Sequence, residues 1–149
     1  MKINKQTRGV RNNNFGNICR SFPAWKGELR VGDDLDHCFC VFSDWKYGIR
    51  ALYLLLCKYI RDYKLVTVAD IIERYAPASE NNTKNYIAYC DSRQPFPQVS
   101  CDGLSILYLM SAIIKYESDV DITPTELTKV LAEFGLRKDI DPKLDLKFL

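Results

Sequence analysis

The stretch that most constrains this chain is Leu104-Ser105-Ile106-Leu107-Tyr108-Leu109-Met110-Ser111-Ala112-Ile113-Ile114. Apolar side chains fill so many consecutive positions that a helix here has almost no wet face, and other elements must cover it on nearly every side. The spacing predicts a helix over 102–116 that ends at Glu117-Ser118-Asp119. At 149 residues the chain is long enough to bury such a helix in one domain without cross-links. Its 47% apolar and 27% charged residues are those of an ordinary globule.

The remaining segments supply amphipathic partners. Ser43 or Asp44 caps a long helix whose apolar positions Ile49, Leu52, Tyr53, Leu56, Tyr59 and Ile60 recur at three- and four-residue steps. Thr67 caps a second, Val68–Tyr75, stopped by Pro77, and a third follows over 83–90 with Tyr86, Ile87 and Cys90 on one side. Thr123-Pro124-Thr125-Glu126 opens a last helix with cap, first-position proline and a glutamate three residues after the cap, and Gly135 ends it. Cys38 to Phe42 reads as a short strand. The expected fold is a single mainly α (α+β) domain with a small β element, a loose polar tail over 1–7 and a C-terminal tail over 136–149.

Charge and composition exclude several functions. With 21 basic and 19 acidic residues the net charge is +2, and no basic cluster argues for nucleic acid. The longest apolar run, Ala51 to Cys57, is too short for a bilayer, so no membrane partner is expected. The first residues lack the apolar core of a signal peptide. A target outside the cytoplasm therefore calls for delivery by a holin, a virion or a secretion system. Six scattered cysteines and a single histidine, His37, show no zinc-ligand spacing, and one or two disulfides stay open without a legible pairing. No metal or cofactor is expected.

Two features are candidates for chemistry. Arg8-Gly9-Val10-Arg11-Asn12-Asn13-Asn14-Phe15-Gly16-Asn17-Ile18 makes poor helix and poor strand, because asparagine competes for backbone hydrogen bonds and, like glycine, tolerates left-handed geometry. Its amides either knit an ordered turn or face a ligand rich in hydroxyl and acetamido groups. Trp25, in an irregular segment, is either a sugar-stacking platform or a lid over the core. The second feature is a pair of glutamates. Glu117 closes the most apolar helix, where lost hydration would keep its proton on, as a general acid requires, unless the helix end frays into water. Glu80, in the polar loop before the third helix, is a second acid or a helix-capping residue.

The residues also carry a resemblance. The segment 8–18 resembles the "RGxRNNNPGNI" signature of a phage and prophage family of lysozyme-like character, often labelled virion structural protein, with Phe15 where that family usually has proline. The likeness continues through Phe39-Cys40-Val41-Phe42-Ser43-Asp44, Tyr47-Gly48-Ile49-Arg50-Ala51-Leu52 and Tyr75-Ala76-Pro77-Ala78-Ser79-Glu80-Asn81-Asn82-Thr83. Asn13-Asn14-Phe15-Gly16 is also similar to the "NNLFGIK" motif of bacterial cell-wall glucosaminidases. Their catalytic "LESG" helix precedes that motif, whereas here Tyr116-Glu117-Ser118-Asp119 follows it, with Asp119 in place of the glycine. The resemblance implies a circularly permuted lysozyme-like domain that cleaves β-1,4 bonds of peptidoglycan. Glu117 would be its general acid, with Glu80 and Tyr75 as further catalytic candidates. Asn12, Asn13, Asn14, Phe15, Trp25 and Asn81 would bind sugar. The competing expectations are a catalytically inactive virion or peptidoglycan-binding protein, with phage virion proteins as partners, and a secreted antibacterial effector with an immunity partner.

Overall fold

The computed structural model describes residues 1–32, 35–77 and 82–137. Among them the elements run β1 (Lys2–Ile3), α1 (Arg8–Arg11), α2 (Trp45–Tyr63), α3 (Val68–Tyr75), α4 (Thr83–Ser92), α5 (Ser105–Ser118), β2 (Val120–Asp121) and α6 (Pro124–Glu133). The apolar helix α5 sits in the middle, against α1, α2, α4, α6 and β2. Ile106, Leu107, Leu109, Met110, Ile113 and Ile114 are all inaccessible or nearly so, which explains why its sequence carries no polar stripe. Ile49, Leu52 and Leu56 of α2, Ile71 and Ile72 of α3, Tyr86 of α4 and Leu127 and Leu131 of α6 complete the core.

The helix boundaries follow local chemistry. Asp44 accepts from the backbone N–H of Lys46 at the start of α2, and Thr67 accepts from that of Asp70 at the start of α3. At α6 the Thr123 and Glu126 side chains satisfy each other's backbone N–H in a reciprocal capping box, with Pro124 at the first turn. The helix expected from residue 102 begins at Ser105. Before it, the Ser105 Oγ accepts from the Ser100 N–H (2.8 Å) and the Ser100 Oγ from the Gly103 N–H (3.1 Å), so those residues form a side-chain-bonded turn.

Three expectations are corrected. Residues 1–7 are not a loose tail: Lys2 and Ile3 pair antiparallel with Asp121 and Val120, and the Asn4 amide donates to the Asp119 carbonyl (2.9 Å) and to the Asp121 carboxylate (2.9 Å). Cys38 to Phe42 is not a regular strand. It makes isolated bridges, Cys19 with Phe39 and Glu28 with Phe42, because its partners are two different loop segments. The small β element is instead β1 with β2. The segment 8–18 opens as one helical turn, capped by Thr7, before the asparagine turn begins. None of the six cysteines is joined in a disulfide; Cys19 and Cys38 are exposed and the other four buried. Of the C-terminal tail, Leu136 and Arg137 are described; 138–149 lie outside the described residues.

Candidate functional site

The asparagine turn is built from the inside outward. Asn14 is fully buried, and its Nδ2 donates to the carbonyls of Ile18 (3.0 Å) and Cys40 (2.9 Å), while its Oδ1 accepts from the Ile18 N–H (2.9 Å). The Asn13 amide donates to the Phe42 carbonyl (3.0 Å), and the Asn12 amide to the Asp36 carboxylate (3.0 Å). Asn13 and Asn17 both hold left-handed backbone, with φ of 53° and 52°, a conformation asparagine accepts more readily than most residues. Of the two alternatives open in the sequence, these three side chains take the loop-knitting one. Phe15 is 2% exposed and stacks on Trp45 with ring centroids 5.7 Å apart, so it packs in the core.

Two glycines let this turn approach its neighbours. A Cβ on Gly9 would meet the Ser118 Oγ at 2.0 Å and the Asn14 carbonyl at 2.8 Å, and one on Gly48 of α2 would meet the Asn13 carbonyl at 2.4 Å. The end of α5 is bonded directly to the turn. Ser118, fully buried, donates through its hydroxyl to the Phe15 carbonyl (2.7 Å), and Thr7 donates to the Ser118 carbonyl (3.0 Å). Asp119 then ends α5 in left-handed geometry, φ 54°, with its carboxylate paired to Lys115 at 2.8 Å. Aspartate tolerates this backbone better than most residues and adds an ion pair.

Glu117 thereby comes to rest against the asparagine turn. Asn17 Nδ2 donates to both its carbonyl and its Oε1 (3.4 Å each), and the Tyr86 hydroxyl donates to its Oε2 (3.1 Å). Tyr86 is 1% exposed and stacks on Tyr116 with centroids 4.0 Å apart, which fixes the direction of its hydroxyl. Burial raises the Glu117 carboxyl above its ordinary pKa, and the hydrogen bonds from Asn17 and Tyr86 oppose that rise. Burial also pushes the Tyr75 and Tyr86 phenols well above theirs. Both therefore stay neutral and donate. The Tyr75 hydroxyl donates to the Gly16 carbonyl, which ties α3 to the asparagine turn.

Next to this centre lies a cleft of about 300 Å³, lined by Asn17, Ile18, Cys19, Arg20, Ser21, Trp25, Leu55, Tyr59, Arg74, Tyr75 and Pro77. Of the residues singled out from the sequence, Trp25 and Tyr75 line it; Asn12, Asn13, Asn14 and Phe15 do not. Glu117 is not in the wall itself. It sits one side chain away, hydrogen-bonded to Asn17, which is. Glu80 and Asn81 lie outside the described residues. Sequence reading missed Asn17 and Tyr86 as partners of Glu117, because nothing in the spacing reveals that positions 17, 86 and 117 meet. Asn17 was visible only as one more asparagine in the turn.

Asp36 is occupied elsewhere. Its carboxylate takes a two-pronged pair from Arg8 (Nη2 to Oδ1, 2.7 Å) as well as the N–H groups of Cys38 (2.8 Å) and Phe39 (3.0 Å). The Arg8 guanidinium holds this carboxyl far below the usual carboxylate range, so it is a structural anion and not a proton donor.

The chain matches no protein-family model. It is similar to Protein P5 of Pseudoalteromonas phage PM2, with 38% identity over 100 residues, a stretch that makes up 65% of this chain. That stretch spans 61% of the length of P5, and the likeness is to a phage protein.

Proposed function

We propose that the chain cleaves the glycan strand of peptidoglycan, as a circularly permuted lysozyme-like domain with Glu117 as general acid. The observation that carries the reading is a carboxyl that burial raises above its ordinary pKa, oriented by Asn17 and Tyr86 and set one side chain behind an aromatic-walled cleft. Glu117 would protonate the bridging oxygen of a β-1,4 bond between N-acetylated amino sugars as the bond to the anomeric carbon breaks. Productive binding requires the Asn17 side chain to turn aside so that the carboxyl reaches the bound sugar. Trp25 offers a flat apolar face to a pyranose ring. Tyr75, neutral and at the cleft wall, can face the developing positive charge.

The described lining of the cleft contains no carboxylate that could act beside Glu117 as a second acid. Attack by the substrate's own acetamido group or muramyl hydroxyl needs none, and attack by water would draw on Glu80 as base or nucleophile. The expected experiment is a turbidity assay on purified cell walls. Wild type clears them, and Glu117→Gln lowers the rate by roughly 10²–10⁴-fold. Mass spectrometry of the released muropeptides then separates hydrolysis from intramolecular transfer, since the latter leaves an anhydro end. Full lysis by Glu117→Gln sinks the assignment of the acid.

A second reading, consistent with the phage relative, is a virion protein without glycan-cleaving activity; a peptidoglycan-binding role would be a further step of that reading. Sedimentation with cell walls, with no soluble sugar released by wild type, is its signature. Delivery as an antibacterial effector is a third, and a cognate immunity protein encoded next door would mark it.

A further inference from the structure

We infer that Arg20 and Arg74 make one side of the cleft a carboxylate-binding subsite, which selects glycans bearing acidic substituents over neutral N-acetylglucosamine polymers. The inference rests on the glycan-cleaving reading and specifies the substrate class of the same cleft.

The observation is a charge imbalance in the lining of the cleft. The chain as a whole is nearly neutral at +2, yet the described lining carries two guanidinium groups and no carboxylate. Neither cation is neutralised by an acid among the described residues. Arg20 Nη1 donates to the backbone carbonyl of Asp36 (3.1 Å), while the Asp36 carboxylate is already bound by Arg8. Arg74 makes no ion pair there; it lies over the Tyr63 ring at 3.7 Å and the Tyr59 ring at 5.3 Å.

These contacts orient both side chains without using up their charge. Stacking holds a guanidinium in place while leaving its edge N–H groups free to donate. A fixed planar fork of that kind matches a carboxylate at two points. The aromatic side chains Trp25, Tyr59 and Tyr75 of the lining suit the sugar ring, and its two arginines suit an acid hanging from it. In peptidoglycan that acid is either the lactyl carboxylate of a muramyl residue or a carboxylate of the attached peptide.

The test is a titration followed by amide NMR shifts of the intact protein with three tetrasaccharides. These are chitotetraose, the peptide-free muramyl glycan of equal length, and the same glycan carrying an alanyl-isoglutamate dipeptide. At least one acidic glycan should bind about tenfold more tightly than chitotetraose. That margin should shrink as salt is raised. Arg74→Gln and Arg20→Gln should remove it, and amide spectra of the unliganded variants that match wild type away from the cleft certify that they are folded. A margin already present with the peptide-free glycan assigns the acid to the lactyl group, and one present only with the dipeptide assigns it to the stem. Equal binding of all three, insensitive to either arginine, overturns the subsite and leaves the glycan reading standing. Binding of none overturns both.

Discussion

At the scale of single residues the decisive fact is that a carboxyl and an amide one hundred positions apart are hydrogen-bonded. Glu117 is held by Asn17 and Tyr86, and burial raises its carboxyl above the ordinary pKa against the pull of those two hydrogen bonds. The sign of the pH effect on stability follows. A carboxyl whose folded pKa is raised binds its proton more tightly when folded, so its contribution is complete below the ordinary value near 4.5 and is lost as pH rises through the folded value. Glu117→Gln removes that loss. Thermal melts should therefore show the variant gaining on wild type as pH rises from about 4 to 8. A pH-independent difference between the two would mean that Glu117 is not desolvated. The same burial places the alkaline limb of any Glu117-dependent activity above the usual carboxylate range.

At the scale of elements, the asparagine turn and the end of α5 form one unit, and the contact at Gly9 is what permits it. Within α1 an alanine would ordinarily be the better helix former, by about 1 kcal/mol. Here its Cβ would press on a serine pinned by its own hydrogen bond and on a backbone carbonyl. The steric term wins, and Gly9→Ala should destabilise by about 1–3 kcal/mol in urea unfolding. Because the obstacle is partly the Ser118 hydroxyl, the cost should be smaller in a Ser118→Ala background. Equal costs in the two backgrounds would show that the two residues do not touch. Asp119 is read at this scale too. In the sequence it is one more acid after the helix, but in the structure it is a left-handed helix end whose carboxylate is paired with Lys115.

At the scale of the whole molecule, α5 is a buried axle. β2, the asparagine turn, α4 and α6 meet its last turns or its flanks, and β1 pairs with β2. None of the architecture depends on cross-links. Cys40, Cys57, Cys90 and Cys101 are buried, and burial pushes the thiols of Cys40, Cys57 and Cys90 up to about 12. Cys19 and Cys38 are exposed. A native thiol titration should therefore label those two alone, with all six reacting after denaturation. Reductant should leave the melting temperature unchanged. A shift on adding reductant would mean that a disulfide forms after all.

What the sequence determined by itself was local. Periodicity and caps fixed the helices after Asp44, Thr67 and Thr123, because the hydrogen bonds that start a helix and the apolar stripe that buries it involve near neighbours. The mainly helical class followed from those elements. Residues 1–7 looked like a tail because a two-residue strand has no pattern of its own and exists only through β2. The chain from Cys38 to Phe42 reads as a strand because it is a short run of apolar, aromatic and β-branched residues, but its neighbours are loops. The asparagine turn was legible as a turn. Only the tertiary structure decided that Asn14 knits it, that Phe15 is buried beneath it, and that Asn17 and Tyr86 grip Glu117. Those contacts join positions with no spacing relation in the chain. They arise because α5, apolar on nearly every side, must run through the centre and carry its terminal carboxyl to the turn.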